Sequence, residues 1–246
     1  MKRRYSRTSR SALLAFCLGI AASLAQAGPG PLPPNSNAYG KGYDELAAGW
    51  LEWALAAPAS TNPILDTDGS YGAMGQSGKV WYLAGTTGGP ATRSLTVPTG
   101  TALFFPIVNY FWVNTPELGD AKWSPEQEAL ARSIIAAEVD TAQNLVLEID
   151  GKSYAVAPEF RVPSTVGNCV LPPDNIFVYF GFAVIAGPHE CVVDGYWALL
   201  PPLSVGKHTI HFAGELASSG TALDVTYHIT VKPRQKLAKS AMSPHH

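Results

Sequence analysis

Residues 206–214, GKHTIHFAG, and residues 222–231, ALDVTYHITV, decide the fold class of this chain. Both stretches are rich in the β-branched and aromatic residues that favour strands, and both alternate apolar with polar side chains. Their proximity in the sequence predicts that they pair as a C-terminal hairpin. Because successive residues of a strand point to opposite faces, His208 shares a face with Ile210, whereas His211 lies on the other face.

Six further segments have the same short, β-branched and aromatic character, and Gly, Pro and Asp divide them from one another. They are residues 79–85, 92–98, 101–109, 144–156, 175–184 and 195–203. Together with the C-terminal pair they predict a mainly β fold, either a β-sandwich or a jelly roll. Turn residues at 98–100, 150–151 and 204–206 predict hairpins at these three places.

Two amphipathic segments predict helices that pack at an edge or an end of the β-structure. The first covers residues 43–58, where apolar residues recur along one helical face. This face contains Leu46, Trp50, Trp53 and Ala57. The second begins at Ser124 as N-cap, with Gln127 completing a capping box. The buried face that we predict for it contains Leu130, Ile134 and Ala137.

The N-terminus predicts an export signal over residues 1–27. A basic run precedes an apolar stretch that ends in an A-x-A site, so the expected cleavage point lies after Ala27. Arg3 and Arg4 raise the twin-arginine route as an alternative, although the residues that follow them do not favour it. We therefore expect a secreted or periplasmic protein.

Beyond the signal, the chain divides into three parts. A Pro/Gly-rich arm covers residues 28–42, a single domain covers 43–232 and a polar tail covers 233–246. No segment of the mature chain reaches membrane-spanning length. Charged residues make up 15% of the chain and the net charge is −2, which is not the basic footprint of a nucleic-acid-binding protein.

Cys169 and Cys191 are the two cysteines that remain after cleavage. An even number of cysteines in an oxidising compartment predicts one disulfide between them. A reactive pair of free thiols is the alternative, but the C-x-x-C spacing that would favour it is missing.

Aromatic residues supply the candidate ligand-binding site. Flat rings on one sheet face can stack against sugar rings, and core packing is the competing explanation for the same residues. The candidate ligand-binding residues are Trp50, Trp53, Trp81, Asn109, Tyr196 and Trp197. The expected partner is a small molecule, a glycan or a protein.

Histidines supply the candidate metal site. His208, His211 and His228 are imidazole ligands of the kind that transition metals prefer, but strand geometry prevents His208 and His211 from facing the same way. A metal would therefore need help from residues such as Asp194. We expect no cofactor, with a divalent metal as the alternative.

Several other charged residues carry weaker hypotheses. Asp66 to Ser70 begins like a calcium loop but lacks the closing glutamate, which favours a plain Asp/Gly turn. Arg93 and Arg161 would either hold an anion or form structural salt bridges. Two carboxylate pairs have the composition of a hydrolase site. They are Glu45 with Glu52, and Asp194 with Glu215.

Three blocks of sequence resemble a family of secreted bacterial proteins that are usually catalogued as uncharacterised. The blocks are GQSGKVWYLAG (75–85), RSLTVPTGTALFFPIVN (93–109) and DGYWALLPPLSVGKHTIHFAG (194–214). The resemblance implies a shared fold and export, and it brings no activity, substrate or cofactor. Members of the family carry cysteines near the positions of Tyr71 and Leu95, and both are missing in this chain.

Two functional hypotheses follow. The first is an exported, non-enzymatic β-sandwich that binds a ligand or partner, with a glycan as one candidate. The alternative is a metal-dependent or carboxylate-based hydrolase that acts on an extracellular polymer. The hydrolase would require a concave site in which at least three of the histidines and carboxylates meet, whereas the binding protein would require an accessible aromatic surface.

Overall fold

A computed structural model describes residues 30–234 of the chain. The predicted signal at 1–27 and most of the predicted tail at 233–246 lie outside the described residues. Within them, the fold consists of two β-sheets and three α-helices. The helices are α1 (Tyr43–Leu55), α2 (Pro125–Val139) and α3 (Ile176–Tyr179).

The first sheet has four strands in the order β1-β3-β7-β6. These are β1 (Val80–Tyr82), β3 (Ala102–Val113), β7 (Gly187–Leu200) and β6 (Gly167–Leu171). The second sheet has five strands in the order β2-β9-β8-β4-β5. These are β2 (Gly89–Pro98), β9 (Thr221–Lys232), β8 (Gly206–Leu216), β4 (Ala142–Ile149) and β5 (Lys152–Ser153). The β-sandwich prediction is confirmed.

The first sheet lies between the second sheet and helix α1. Along β3, Leu103 and Phe105 point into the core shared with the second sheet. Phe104, between them, points towards α1 and stacks on Trp197 at a centroid distance of 5.2 Å. Both faces of β3 are therefore buried, which explains why its sequence is almost continuously apolar instead of alternating.

The second sheet buries only one face. The buried positions of β8 and β9 alternate with accessible ones, as the sequence predicts, and the two strands pair as an antiparallel hairpin.

Strand β2 pairs with β9 in parallel. This pairing requires the chain to cross between sheets after β2, because β3 belongs to the first sheet.

Two of the three predicted hairpins are therefore wrong. The turn at 98–100 joins β2 to β3, and the turn at 204–206 joins β7 to β8, so both connect different sheets. The turn at Asp150-Gly151 does join paired strands, β4 and β5. Its residues have φ angles of 52° and 76°, as a type I′ turn requires.

The predicted strand at 175–184 is also wrong. Asn175 accepts hydrogen bonds from the backbone amides of Phe177 and Val178 and so caps the short helix α3. Strand β6, which precedes this segment, had no alternating pattern strong enough to predict it.

The N-cap that we predicted for α2 is confirmed, but its buried face is not. Ser124 accepts a hydrogen bond from the amide of Gln127. Leu130 and Ile134 are 50% and 40% exposed, and the helix instead buries the neighbouring stripe. That stripe contains Gln127, Ala131, Ile135 and Val139. Small Ala131 allows close approach to β7, where Val192 shares its cluster.

Among residues 30–234, no helix is long and apolar enough to cross a membrane.

Candidate functional site

A cleft of about 320 Å³ opens beside α3, at the far end of β3. Its lining combines five aromatic side chains with three threonines and one amide. The lining residues are Trp50, Ile64, Gly85, Thr86, Thr87, Asn109, Tyr110, Phe111, Ile176, Phe177, Phe180 and Thr221. A volume near 300 Å³ and a mostly apolar wall are typical of sites for small molecules.

The disulfide fixes the wall that α3 provides. Cys169 in β6 and Cys191 in β7 are bonded, with an S–S distance of 2.06 Å, so the predicted disulfide is confirmed. The segment 172–186 forms the loop that this bond closes. Side chains at its tip, Tyr179 and Phe182, are 64% and 56% exposed.

Polar contacts hold the same loop against β3. The amide of Asn175 donates to the carbonyls of Pro172 and Val184. The two ring nitrogens of His189 lie 2.8 Å from the carbonyl oxygens of Asn114 and Ile185. The Asn175 contacts join the two ends of the loop to each other, and His189 on β7 joins the end at Ile185 to the sheet, so α3 forms a wall of the cleft.

A buried arginine shapes the opposite wall. Arg93 is 1% exposed and donates to the carbonyl oxygens of Ile64, Asp66, Ala84 and Gly85. It also donates to the hydroxyl of Tyr227. Ile64 and Gly85 line the cleft, so the guanidinium sets the position of two lining segments. The sequence suggested that this guanidinium would bind an anion or form a salt bridge. It instead donates mainly to backbone carbonyls.

Asn109 is the polar group best placed for a ligand. It sits half-buried on β3 and its side-chain amide makes no hydrogen bond within the described residues. An amide offers both a donor and an acceptor. The lining includes no carboxylate, imidazole, ammonium, guanidinium or thiol group. The titratable side chain in this lining is the Tyr110 phenol, and the other groups offer apolar contacts and hydrogen bonds.

The structure brings two of the six predicted ligand residues into this cleft, Trp50 and Asn109. Trp50 is 2% exposed, its indole N–H donates to the carbonyl of Leu83, and it packs on fully buried Trp197. Core packing, the competing explanation, therefore accounts for the whole side chain of Trp197 and for nearly all of the side chain of Trp50.

The other three lie elsewhere. The indole N–H of Trp53 donates to the carbonyl of Met74, and its ring packs near Tyr82. Burial, with the nearby Glu52 carboxylate, raises the pKa of Tyr82 to about 12. Trp81 lines a separate shallow pocket near the end of β9, and Tyr196 forms an isolated bridge with Arg161.

The three candidate metal ligands do not converge. His208 faces the core and contacts Asp150 at 2.8 Å. His211 faces outward and contacts Asp224 at 2.9 Å, while His228 makes no hydrogen bond within the described residues. No group of three or more potential metal ligands occurs among residues 30–234.

Ser204, His208 and Asp150 form a chain that resembles a catalytic triad. The Nε2 atom of His208 lies 3.3 Å from the Ser204 hydroxyl, and Nδ1 lies 2.8 Å from Asp150 Oδ2. However, Nε2 is only 2.9 Å from the backbone carbonyl of Ser204. A carbonyl can only accept, so this contact is a hydrogen bond only when Nε2 carries a proton, and in that state Nε2 cannot take a proton from the hydroxyl. The chain therefore anchors the 204–206 turn.

The remaining sequence candidates have structural roles. The Asp66 carboxylate accepts hydrogen bonds from the amides of Asp68, Gly69 and Tyr71, as in the plain Asp/Gly turn. Arg161 bonds to Asp194 at 2.8 Å, the expected salt bridge. Partial burial acts to lower the pKa of Arg161, but hydrogen bonds to Asp194 and Asp140 raise it well above its ordinary value.

In each of the two candidate carboxylate pairs, the two carboxylates bind different partners. Glu45 accepts the amide N–H of Gly42 at the start of α1, whereas Glu52 accepts that of Asn168. Asp194 is held by Arg161, and Glu215 accepts from Asn144.

Sequence reasoning missed the α3 wall of the cleft. Ile176, Phe177 and Phe180 lie in the segment that we predicted as a strand, and they were not among the candidate ligand-binding residues. The signal that identifies them is the asparagine at 175, which commonly caps a helix, within a loop bracketed by the two cysteines.

No known family model and no curated protein matches this chain. One similar solved structure is titled "Structure of PbICP-C in complex with falcipain-2". The two are 12% identical, the match covers 63% of this chain and 100% of that chain, and the TM-score is 0.23. At this TM-score the likeness has no bearing on the function of this protein.

Proposed function

We propose that this protein is a non-enzymatic binding protein that holds an uncharged ligand in the cleft beside α3. The observation that carries the proposal is the side chain of Asn109, whose amide has no hydrogen-bond partner within the described residues and lines an otherwise aromatic, uncharged cleft. Such a cleft favours a ligand with apolar faces and hydrogen-bonding groups at its edge. Neutral sugars and their aromatic glycosides belong to this class.

The chemistry of the lining supports binding over catalysis. Phe111, Phe177 and Phe180 offer ring faces and edges against which a sugar or aromatic ring can pack. Thr86 and Thr87 add hydroxyls at the rim. A charged ligand would lose its hydration here without gaining a counter-charge, so charged molecules are disfavoured.

The proposed place of action is an oxidising compartment outside the cytoplasm. The disulfide between Cys169 and Cys191 supports this location, because structural disulfides persist where thiols are not kept reduced. The sequence of residues 1–27 supports it independently.

The first experiment is a thermal-shift screen of the chain from Gly28 to His246, with neutral monosaccharides, neutral oligosaccharides and uncharged aryl glycosides as probes. A ligand that binds only the folded state at about 100 times its Kd adds roughly 2.7 kcal/mol of stability. For a domain of this size we expect the melting temperature to rise by roughly 5 to 10 °C.

Asn109→Ala tests the site, with Asn168→Ala as the matched control. Asn168 is exposed on β6 and its side chain makes no hydrogen bond within the described residues. We expect Asn109→Ala to weaken binding roughly threefold to tenfold, the effect of one hydrogen bond, and Asn168→Ala to leave it unchanged. Equal binding by both variants, or hydrolysis of an aryl glycoside that persists through repurification, would contradict the proposal.

A further inference from the structure

The outer face of the second sheet carries a second site with different chemistry. A groove of about 830 Å³ runs across β2, β9 and β8 on the side that faces away from the first sheet. The side chains that project into it are Ser94, Thr96, Lys207, Thr209, His228 and Thr230. It is chemically unlike the cleft beside α3, since its projecting groups are hydroxyls, an imidazole and an ammonium.

The strand register places these groups in rows. Ser94 lies opposite His228, and His228 lies opposite Thr209. In the next row, Thr230 lies between Thr96 and Lys207. Neighbouring strands are about 4.8 Å apart and alternate residues along a strand about 6.7 Å apart. The face therefore presents a regular array of hydrogen-bonding groups.

None of these groups is used within the fold. The hydroxyls of Ser94, Thr96, Thr209 and Thr230 and the ring of His228 make no hydrogen bond with any residue of the 30–234 range. Lys207 is exposed and forms no ion pair within that range. The sheet does not need hydroxyl groups at these positions for its stability, and accessible threonines alone are common on strands. A groove that brings six such side chains together is a surface suited to a ligand.

The charge of the groove is positive at one end. Lys207 lies beside Thr230 of β9. Lys232 follows Thr230 by two positions on the same strand and therefore projects on the same face. Lys232 and Arg234 line an adjoining pocket of about 490 Å³ that shares Thr96 with the groove. Like Lys207, these two cations form no ion pair with other described residues.

The single carboxylate in the lining of the groove is already held by contacts within the fold. Asp150 lies 2.8 Å from the ring of His208 and accepts the backbone N–H of Thr209. Its side chain is 6% exposed. The groove therefore offers cations and hydroxyl donors to a ligand without an opposing free carboxylate.

We propose that this outer face binds an acidic polysaccharide. The cations at Lys207, Lys232 and Arg234 match carboxylate or sulfate groups, and the hydroxyl rows match the hydroxyls of a sugar chain. The continuity of the two pockets suits an extended polymer. A nucleic acid is disfavoured because the groove is lined mainly by hydroxyls, and the indole on which a base could stack, Trp81, lies only in the adjoining pocket.

The test is fluorescence anisotropy with labelled oligogalacturonate and labelled dextran sulfate, on the chain from Gly28 to His246 without an added tag. Neutral dextran and a single-stranded oligonucleotide are the comparison probes. We expect both acidic sugars to bind with an affinity that falls as salt rises, because exposed charges are screened. Neutral dextran should not bind, and the oligonucleotide should bind more weakly than either acidic sugar.

Two variants and two matched controls localise the site. Lys207→Gln should weaken binding about tenfold, the loss expected for one charge-assisted hydrogen bond, and flatten the salt dependence. Thr96→Val keeps shape and strand preference but removes a hydroxyl, and should weaken binding about threefold. The controls are Lys122→Gln, an exposed lysine near α2, and Thr92→Val, on the same strand and face but outside the groove.

Each remaining outcome contradicts the proposal. Equal losses from Lys207→Gln and Lys122→Gln would mean that binding depends on overall charge only. Stronger binding of the oligonucleotide would assign the face to nucleic acid instead. Asn109→Ala should leave acidic-sugar binding unchanged, because Asn109 lies in the cleft beside α3 and not in the groove. The two proposed sites are therefore tested independently.

Discussion

Replacement of Arg93 by methionine tests how one buried cation organises two segments that line the cleft. The guanidinium makes five hydrogen bonds inside the protein, four of them to backbone carbonyls. Methionine fills a similar volume but donates nothing, so buried acceptors lose their partners. Each such loss costs about 1 to 3 kcal/mol, and some carbonyls recover a bond through water, so we expect a total loss of about 3 to 5 kcal/mol.

The assay is thermal and urea unfolding of Arg93→Met beside Arg132→Met. A loss of 3 to 5 kcal/mol corresponds to a fall in melting temperature of roughly 6 to 20 °C for a domain of this size. Arg132 is partly exposed on α2 and pairs with Glu128, so its replacement should cost about 1 kcal/mol or less. Arg93→Lys should recover only part of the loss, because an ammonium cannot contact segments on several sides.

A functional measurement distinguishes local from global damage. Below its melting temperature, Arg93→Met should also bind the cleft ligand more weakly, since Ile64 and Gly85 lose the group that positions their carbonyls. A loss below about 1 kcal/mol with unchanged ligand affinity would refute the reasoning that this cation organises the cleft.

Three further predictions concern other parts of the molecule. The double variant Cys169→Ala/Cys191→Ala should lose about 3 kcal/mol of stability and bind the cleft ligand more weakly, as urea unfolding and titration would show, because the α3 loop is no longer closed. Hydrogen bonds from Ser218 and Ser219 lower the pKa of Glu138 below its ordinary 4.5. The stability from this carboxylate is present above pH 4.5 and lost as pH falls through its folded pKa, so Glu138→Gln should flatten acid unfolding curves in that window. Ser204 should resist a fluorophosphonate probe, and labelling in intact protein mass spectrometry would contradict our account of the His208 contacts.

Prediction from the sequence succeeded best where a segment shows one clear local pattern of apolar and polar residues or a clear capping residue. The alternation in β8 and β9 predicted their pairing and which way His208 and His211 point, and both are as expected. The N-cap serine at position 124 predicted the start of α2, and its hydroxyl accepts the amide N–H of Gln127. These features depend on neighbours in the chain, so local reasoning is sufficient for them.

Prediction failed where partners distant in the chain decide the outcome. Helix α2 has two adjacent apolar stripes, and only the position of β7 determines that Ile135, and not Ile134, is buried. Segment 175–184 has the composition of a strand, but the disulfide and the capping contacts of Asn175 hold it as a loop. Of the residues that line the cleft, only Trp50 and Asn109 were therefore predicted.

The parallel pairing of β2 with β9 bears on how the chain folds. In this pairing Arg93 lies opposite Tyr227, 134 positions away. The second sheet cannot be completed until nearly the whole described chain is available, because β9, which lies between β2 and β8, is the last strand in the sequence. Contacts of such long sequence separation slow folding, since the entropy of closing a large loop is lost before the contacts form. A chain synthesised only as far as β8 therefore lacks the strand that joins β2 to the rest of the second sheet, so β2 stays unpaired in that sheet until β9 is available.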